Sequence, residues 1–166
     1  MGMTTIRYDL DARSTQAAGL RVADVWRTLA EAAEEWDRLL KRFSIPVRFV
    51  AGPGMGSRAE CLVQFAPGEV VRDLAGRPGA EGVHVLRHGF SKIYFSKETR
   101  WRPVGSWAFW RSALLPGMLH ELGHVLRVPH SPIKGFIMHP DWPPAARRIG
   151  GDEGLEYGLY LREVVT

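Results

Sequence analysis

The sequence predicts an α+β fold, a single domain over 1–166 in which helices cover a sheet. Three observations carry that prediction. The chain reads as one strand, one long helix, about four further strands, then two helices set in irregular loops. A hydrophobic fraction of 45% in 166 residues supplies one core at a length that suits one domain. The 18 glycines and 11 prolines call for many turns, with no repeat and no low-complexity linker.

Thr5–Leu10 (TIRYDL) alternates in polarity and predicts the first strand. From Val22 to Phe43 the apolar residues Val22, Val25, Trp26, Leu29, Ala33, Trp36, Leu40 and Phe43 recur at helical spacing, which predicts a long amphipathic helix with one face on the sheet. Pro46 is expected to end it, and IPVRFV supplies the second strand. AGPGMGS is a turn-rich break, after which Ala59–Ala66 is apolar enough for a central strand. PGEVVRDLAGRPGAEG reads as a long loop, followed by strands at Gly82–Arg87 and Ser91–Ser96. A loop with Trp101, Trp107 and Trp110 leads to a helix over Ser112–Leu126, with Ser112 as N-cap and Pro116 in the first turn, where proline is tolerated. The closing helix, about Asp152–Val164, is expected to carry Leu155, Leu159, Tyr160 and Val164 on one side.

The formal net charge of +4 is scattered, with no run of Lys/Arg and no basic stripe interleaved with aromatics, so nucleic acid is not the expected partner. No apolar run reaches the roughly 18 residues of a membrane span, and the first ten residues hold no apolar signal segment. Cys61 is the single cysteine, which rules out an internal disulfide, and its apolar neighbours predict a buried thiol.

The chemistry concentrates in HELGHVLRVPHSPIKGFIMHP, His120 to Pro140. His120 and His124, four apart on a helix, project from one face and can reach one ion. Zinc binds His nitrogen at about 2.0–2.1 Å and suits a site with an open fourth position. Glu121 can reach a zinc-bound water without being a ligand, and act as general base. Pro129 stops the helix after Leu126, so that His130 can swing back as a third nitrogen ligand. Met138 can form a turn beneath the metal.

HELGHVLRVPH resembles the metzincin pattern HExxHxxGxxH, and IMHP resembles its Met-turn. Ser131 and Met138–Pro140 resemble the matrixin branch, and the similarity extends weakly along the chain: TIRYDL, the helix with Trp36, IPVRFV, AECLVQFA, KIYFSKETRW and DEGLEYGLYL each look like a matrixin element. The resemblance implies a zincin fold. Its twisted, mainly parallel mixed sheet has an antiparallel edge strand and is packed by two long helices, with a C-terminal helix after the Met-turn. It implies an N-terminal subdomain of about 1–130 and a C-terminal one of about 131–166. The implied activity is that of a zinc metalloendopeptidase acting on extended peptides, with one catalytic zinc on His120, His124 and His130, Glu121 as base and Met138 in the Met-turn. Substrate is then expected along Val83, His84, Val85, Leu86 and Arg87, and against Pro140 and Trp142, with Asp152 bracing the Met-turn. The expected partner is a peptide or protein substrate, the chain a monomer without membrane or nucleic acid. The family favours a secreted protein.

The chain departs from the pattern at several places. The matrixin structural-zinc and calcium loop has no counterpart: His84 and His88 lack partners and read as strand residues, so calcium is possible but no motif supports it. Cys61 is in the wrong place for a cysteine switch. Arg127 stands where the motif has glycine, a residue suited to the left-handed backbone that ends the helix. A non-glycine there costs roughly 1–2 kcal/mol, a stability cost that removes no ligand, so zinc binding is expected to survive. The alternative to a peptidase is a catalytically silent metzincin fold that binds a peptide or protein, although retention of Glu121 and all three histidines argues against it.

Overall fold

A computed structural model describes residues 2–52, 59–104, 112–143, 145–146 and 148–165. The described chain is α+β: a mixed five-stranded sheet, mostly parallel with one antiparallel edge, and five helices. The elements in order are β1 Thr4–Leu10, α1 Ala12–Ala17, α2 Val22–Arg42, β2 Val47–Ala51, β3 Cys61–Ala66, α3 Gly68–Ala75, β4 Gly82–Arg87, β5 Phe90–Ser96, β6 Trp101–Arg102, β7 Ser112–Ala113, α4 Leu114–Val125 and α5 Gly151–Val165. The main sheet runs β2-β1-β3-β5-β4, and only the β4–β5 pair is antiparallel. Among the described residues no helix is long and apolar enough to cross a membrane.

The helix α2 follows its apolar periodicity: Val25, Leu29, Ala33, Trp36 and Leu40 are buried, with Asp24 in the first turn and Lys41 and Arg42 in the last, the arrangement that suits the helix dipole. It stops earlier than Pro46 requires. Ser44 adopts a left-handed φ of 54°, and its N–H and that of Ile45 return to the carbonyls of Lys41 and Leu40. Packing of α2 against α4 joins Trp36 to the site, its Nε1–H donating to Leu119 O at 2.8 Å. Buried Cys61, Val63 and Phe65 alternate along β3, which lies at the centre of the sheet as its composition predicts.

Four expectations need correcting. The short helix α1 was not foreseen; Asp11 caps it by accepting from Ser14 N–H at 3.0 Å. The stretch expected as one loop contains α3, which ends in a left-handed Gly76. Ser112 belongs to β7, and the α4 N-cap is Ala113; Trp107 and Trp110 lie outside the described residues. On α5 the buried face is Glu153, Gly154, Tyr157, Gly158 and Leu161, whereas Leu155, Leu159 and Val164 are about half exposed. A Cβ on Gly158 would run into the Phe43 ring, and one on Gly154 would come within 3.2 Å of Leu39. Close approach to α2, rather than leucine burial, decides which face of α5 turns inward.

The hairpin between β4 and β5 turns through His88 and Gly89, both at positive φ (51° and 78°), as a two-residue turn requires. Among the described residues β4 is the edge strand of the main sheet, with β5 as its strand partner.

Candidate metal centre

Ten consecutive residues of α4, Leu114 to Gly123, are buried, so this helix carries His120 and Glu121 into the core. Gly123, between the two helical histidines, is where Met138 and Trp36 close in; a Cβ there would sit 2.8 Å from the Trp36 ring and against the Met138 sulfur. Glycine at that position therefore lets the Met138 segment lie directly under the helix.

The helix ends at the arginine. Arg127 has φ +67°, its N–H returns to His124 O and the Val128 N–H to Gly123 O, both at 2.9 Å. This is the paired closure of a left-handed helix terminus, with arginine in the glycine position. The same turn presents Val128 O to His124 Nδ1 at 2.9 Å. Tyr160 of α5 donates its hydroxyl to Arg127 O at 2.9 Å, which ties the turn to the closing helix.

The segment from His130 to Met138 folds back on itself, with Ser131 N–H donating to Met138 O at 2.9 Å. Met138 is fully buried, and its N–H donates to Tyr157 Oη at 3.1 Å. Glu153 receives the Ile137 N–H, the Tyr157 hydroxyl (2.9 Å) and the Gly150 N–H (3.2 Å). Ile137 O in turn accepts from His120 Nδ1 at 2.6 Å. The carboxylate that braces this turn is thus Glu153, while Asp152 is exposed. Both differences on α5 have one origin: an inward face built from Leu155 and Leu159 carries Asp152 with it, and the real face carries Glu153.

Carbonyls only accept, so His120 and His124 hold their protons on Nδ1 and leave Nε2 with a free lone pair. The three Nε2 atoms of His120, His124 and His130 converge to 3.1, 3.1 and 3.2 Å from one another. A tetrahedral centre with arms of about 2.0–2.1 Å has an edge of about 3.3–3.4 Å, close to this triangle. Burial is the main cause that depresses the imidazoles below their ordinary range, His120 to about 3, His124 to about 4, and His130 in the same direction; neighbouring cluster imidazoles add to it at His120 and His124, and the charges of Arg77 and His139 at His130. They remain neutral near pH 7, the state in which imidazole is a ligand. These three histidines could hold a metal ion, and the donor set suits zinc.

Glu121 is buried beside them. Desolvation pushes its carboxyl up to about 8, opposed by the His84 backbone N–H directed at it. A Cβ on Gly82 would lie 3.0 Å from Glu121 Oε1, so the first residue of β4 leaves room for that carboxyl. A cleft of about 680 Å³ opens over the cluster. Val83 and His84 line one lip and Pro140 and Trp142 the other; Val85 and Leu86 continue the edge strand beyond the cleft. The His84 ring bonds Ser91 Oγ at 3.0 Å and lies parallel to that of His124, with centroids 6.4 Å apart. The Trp142 ring lies 5.2 Å from that of His120. Across the cleft, Arg77 reaches Pro140 O and Asp141. The sequence reading singled out none of Gly82, Gly123, Glu153, Tyr157 and Arg77. Each acts through a long-range contact, and only the adjacent carboxylates of Asp152–Glu153 left a local signal. No protein-family model matches this chain, and no curated protein matches it.

Proposed function

We propose that this protein is a zinc-dependent endopeptidase of the metzincin type, nearest in pattern to the matrixins. The observation that carries the reading is the convergence of three neutral imidazoles beside a buried glutamate in a cleft flanked by the edge strand β4. His120, His124 and His130 hold the metal, with His120 and His124 oriented through their Nδ1–H groups by the carbonyls of Ile137 and Val128. Zinc there supplies a Lewis acid for the scissile carbonyl and a positive charge that favours the ionised form of Glu121. Glu121 takes the proton of the attacking water and returns it to the leaving amine.

Substrate binds as an added strand along β4. Ser96 N–H bonds to Glu81 O, so alternation turns the backbone groups of Gly82, His84 and Leu86 toward the open side. The His84 N–H faces Glu121, which leaves the other outward backbone groups to pair with substrate. The neighbouring lip, Pro140–Trp142, forms the other wall.

Metal analysis and cleavage of an unfolded protein test this reading. The purified chain should hold close to one zinc, and a chelator should abolish cleavage. Glu121→Ala should retain zinc and lose roughly 10²–10⁴-fold in rate, the scale of general-base catalysis. Undiminished cleavage by that variant would remove Glu121 from the mechanism. Peptide binding without any cleavage by the parent would leave a silent binding fold.

A further inference from the structure

We propose that Arg77 makes the cleft selective for substrates that carry a carboxylate beside the scissile bond, an inference that rests on the peptidase reading. Gly76, at φ +63°, ends α3 in a left-handed turn, with Gly76 N–H bonded to Asp73 O and Arg77 N–H to Arg72 O. The chain direction set there sends the Arg77 side chain into the cleft, where it lies among the lining residues with His120, Glu121 and His130.

The guanidinium is held loosely. Nη2 meets a single oxygen of Asp141 at 2.9 Å, and Nη1 meets Pro140 O at 3.1 Å. A guanidinium can take both oxygens of one carboxylate through two parallel bonds, a stronger arrangement that Asp141 does not make. Asp141 is 75% exposed and Arg77 45%, so their pair is screened by solvent and contributes little. A carboxylate delivered by a peptide lying along β4 arrives at high effective concentration and can replace Asp141. The positive net charge of +4 favours the approach of acidic peptides as well.

The probes are octapeptides in which one Glu or Gln is placed at each position in turn, each with a free or an amidated C-terminus, so that side-chain and terminal carboxylates are separated. Binding is read by fluorescence anisotropy on zinc-loaded Glu121→Ala protein, and kcat/KM on the parent. Glu should exceed Gln roughly tenfold at one position, the scale of a charge-assisted hydrogen bond, and the preference should fall with salt. Arg77→Gln should erase the difference, Arg77→Glu should turn it toward Lys-containing peptides, and Asp141→Asn should enlarge it. A Glu preference that survives Arg77→Gln overturns the proposal. So does a uniform gain for all peptides in that variant, which would make the Arg77–Asp141 pair a clasp between the lips. Cleavage by the parent without acidic preference refutes the selection and leaves the peptidase standing. Arg77-dependent binding of acidic peptides that are never cut refutes the peptidase and leaves the selection standing.

Discussion

Replacing Arg127 with glycine tests whether the arginine strains the fold or the metal centre. At φ +67° a non-glycine residue is destabilised by roughly 1–2 kcal/mol relative to its right-handed form. Glycine relieves that strain but adds about 0.4–1 kcal/mol of unfolded-chain entropy. The exposed Arg127 side chain makes no hydrogen bond or ion pair with the described residues, so nothing else is lost. The net gain is about 0–1.6 kcal/mol, which at this chain length raises Tm by up to about 6 °C. Thermal unfolding of the metal-free protein, followed by circular dichroism, measures it. Arg127→Ala keeps the strained backbone and should stay within about 1 °C of the parent. Zinc affinity, measured by competition with a chromophoric chelator, should change less than about threefold, because glycine makes the same turn and leaves Val128 O against His124 Nδ1. A lower Tm in Arg127→Gly refutes the strain argument. A zinc affinity raised tenfold or more refutes the claim that arginine leaves the ligands undisturbed.

Two other perturbations separate the parts of the site. Glu153→Ala strips the acceptor from Ile137 N–H, Gly150 N–H and the Tyr157 hydroxyl, so a loss of about 2–4 kcal/mol is expected, with weaker zinc binding as Ile137 O shifts under His120; Asp152→Ala should leave both measurements near the parent, and equal effects would refute the assignment. The metal-free protein should be most stable near pH 6.5, as denaturant midpoints across pH 5–8.5 can show. His120 and His124 have depressed pKa values, so their contribution is complete above the ordinary 6.5 and is lost as pH falls toward about 3 and about 4. Glu121 has a raised one, so its contribution is complete below 4.5 and is lost as pH rises through about 8. Each group contributes a slope of up to about 1.4 kcal/mol per pH unit, so the two histidines outweigh Glu121 below 6.5 and Glu121 alone remains above it. Glu121→Gln should remove the alkaline limb only; persistence of that limb would assign it to another group.

Those parts of the fold and site whose signal is local were legible in the chain. Apolar spacing from Val22 to Leu40 specified a helix and its buried face, because a 3.6-residue period can be read without partners. HELGH followed by His130 specified three nitrogen donors, since spacing on a helix and a proline stop bring them to one side. Even the left-handed turn at Arg127 was legible, from the place an arginine occupies after a helix. The tertiary structure decided what depends on contacts between distant residues. The inward face of α5 turns on how closely glycine lets it approach Phe43 and Leu39, which hydrophobicity does not encode, and Glu153 rather than Asp152 follows from that rotation. Short helices such as α3 lack the length for a periodic signal, so the turn at Gly76 that sends Arg77 into the cleft stayed hidden within an apparent loop. Hydrogen bonds from Ile137 O and Val128 O to the histidines likewise join segments that local rules treat separately. The three candidate metal donors were written in one stretch of chain; their orientation came from the segments folded against it.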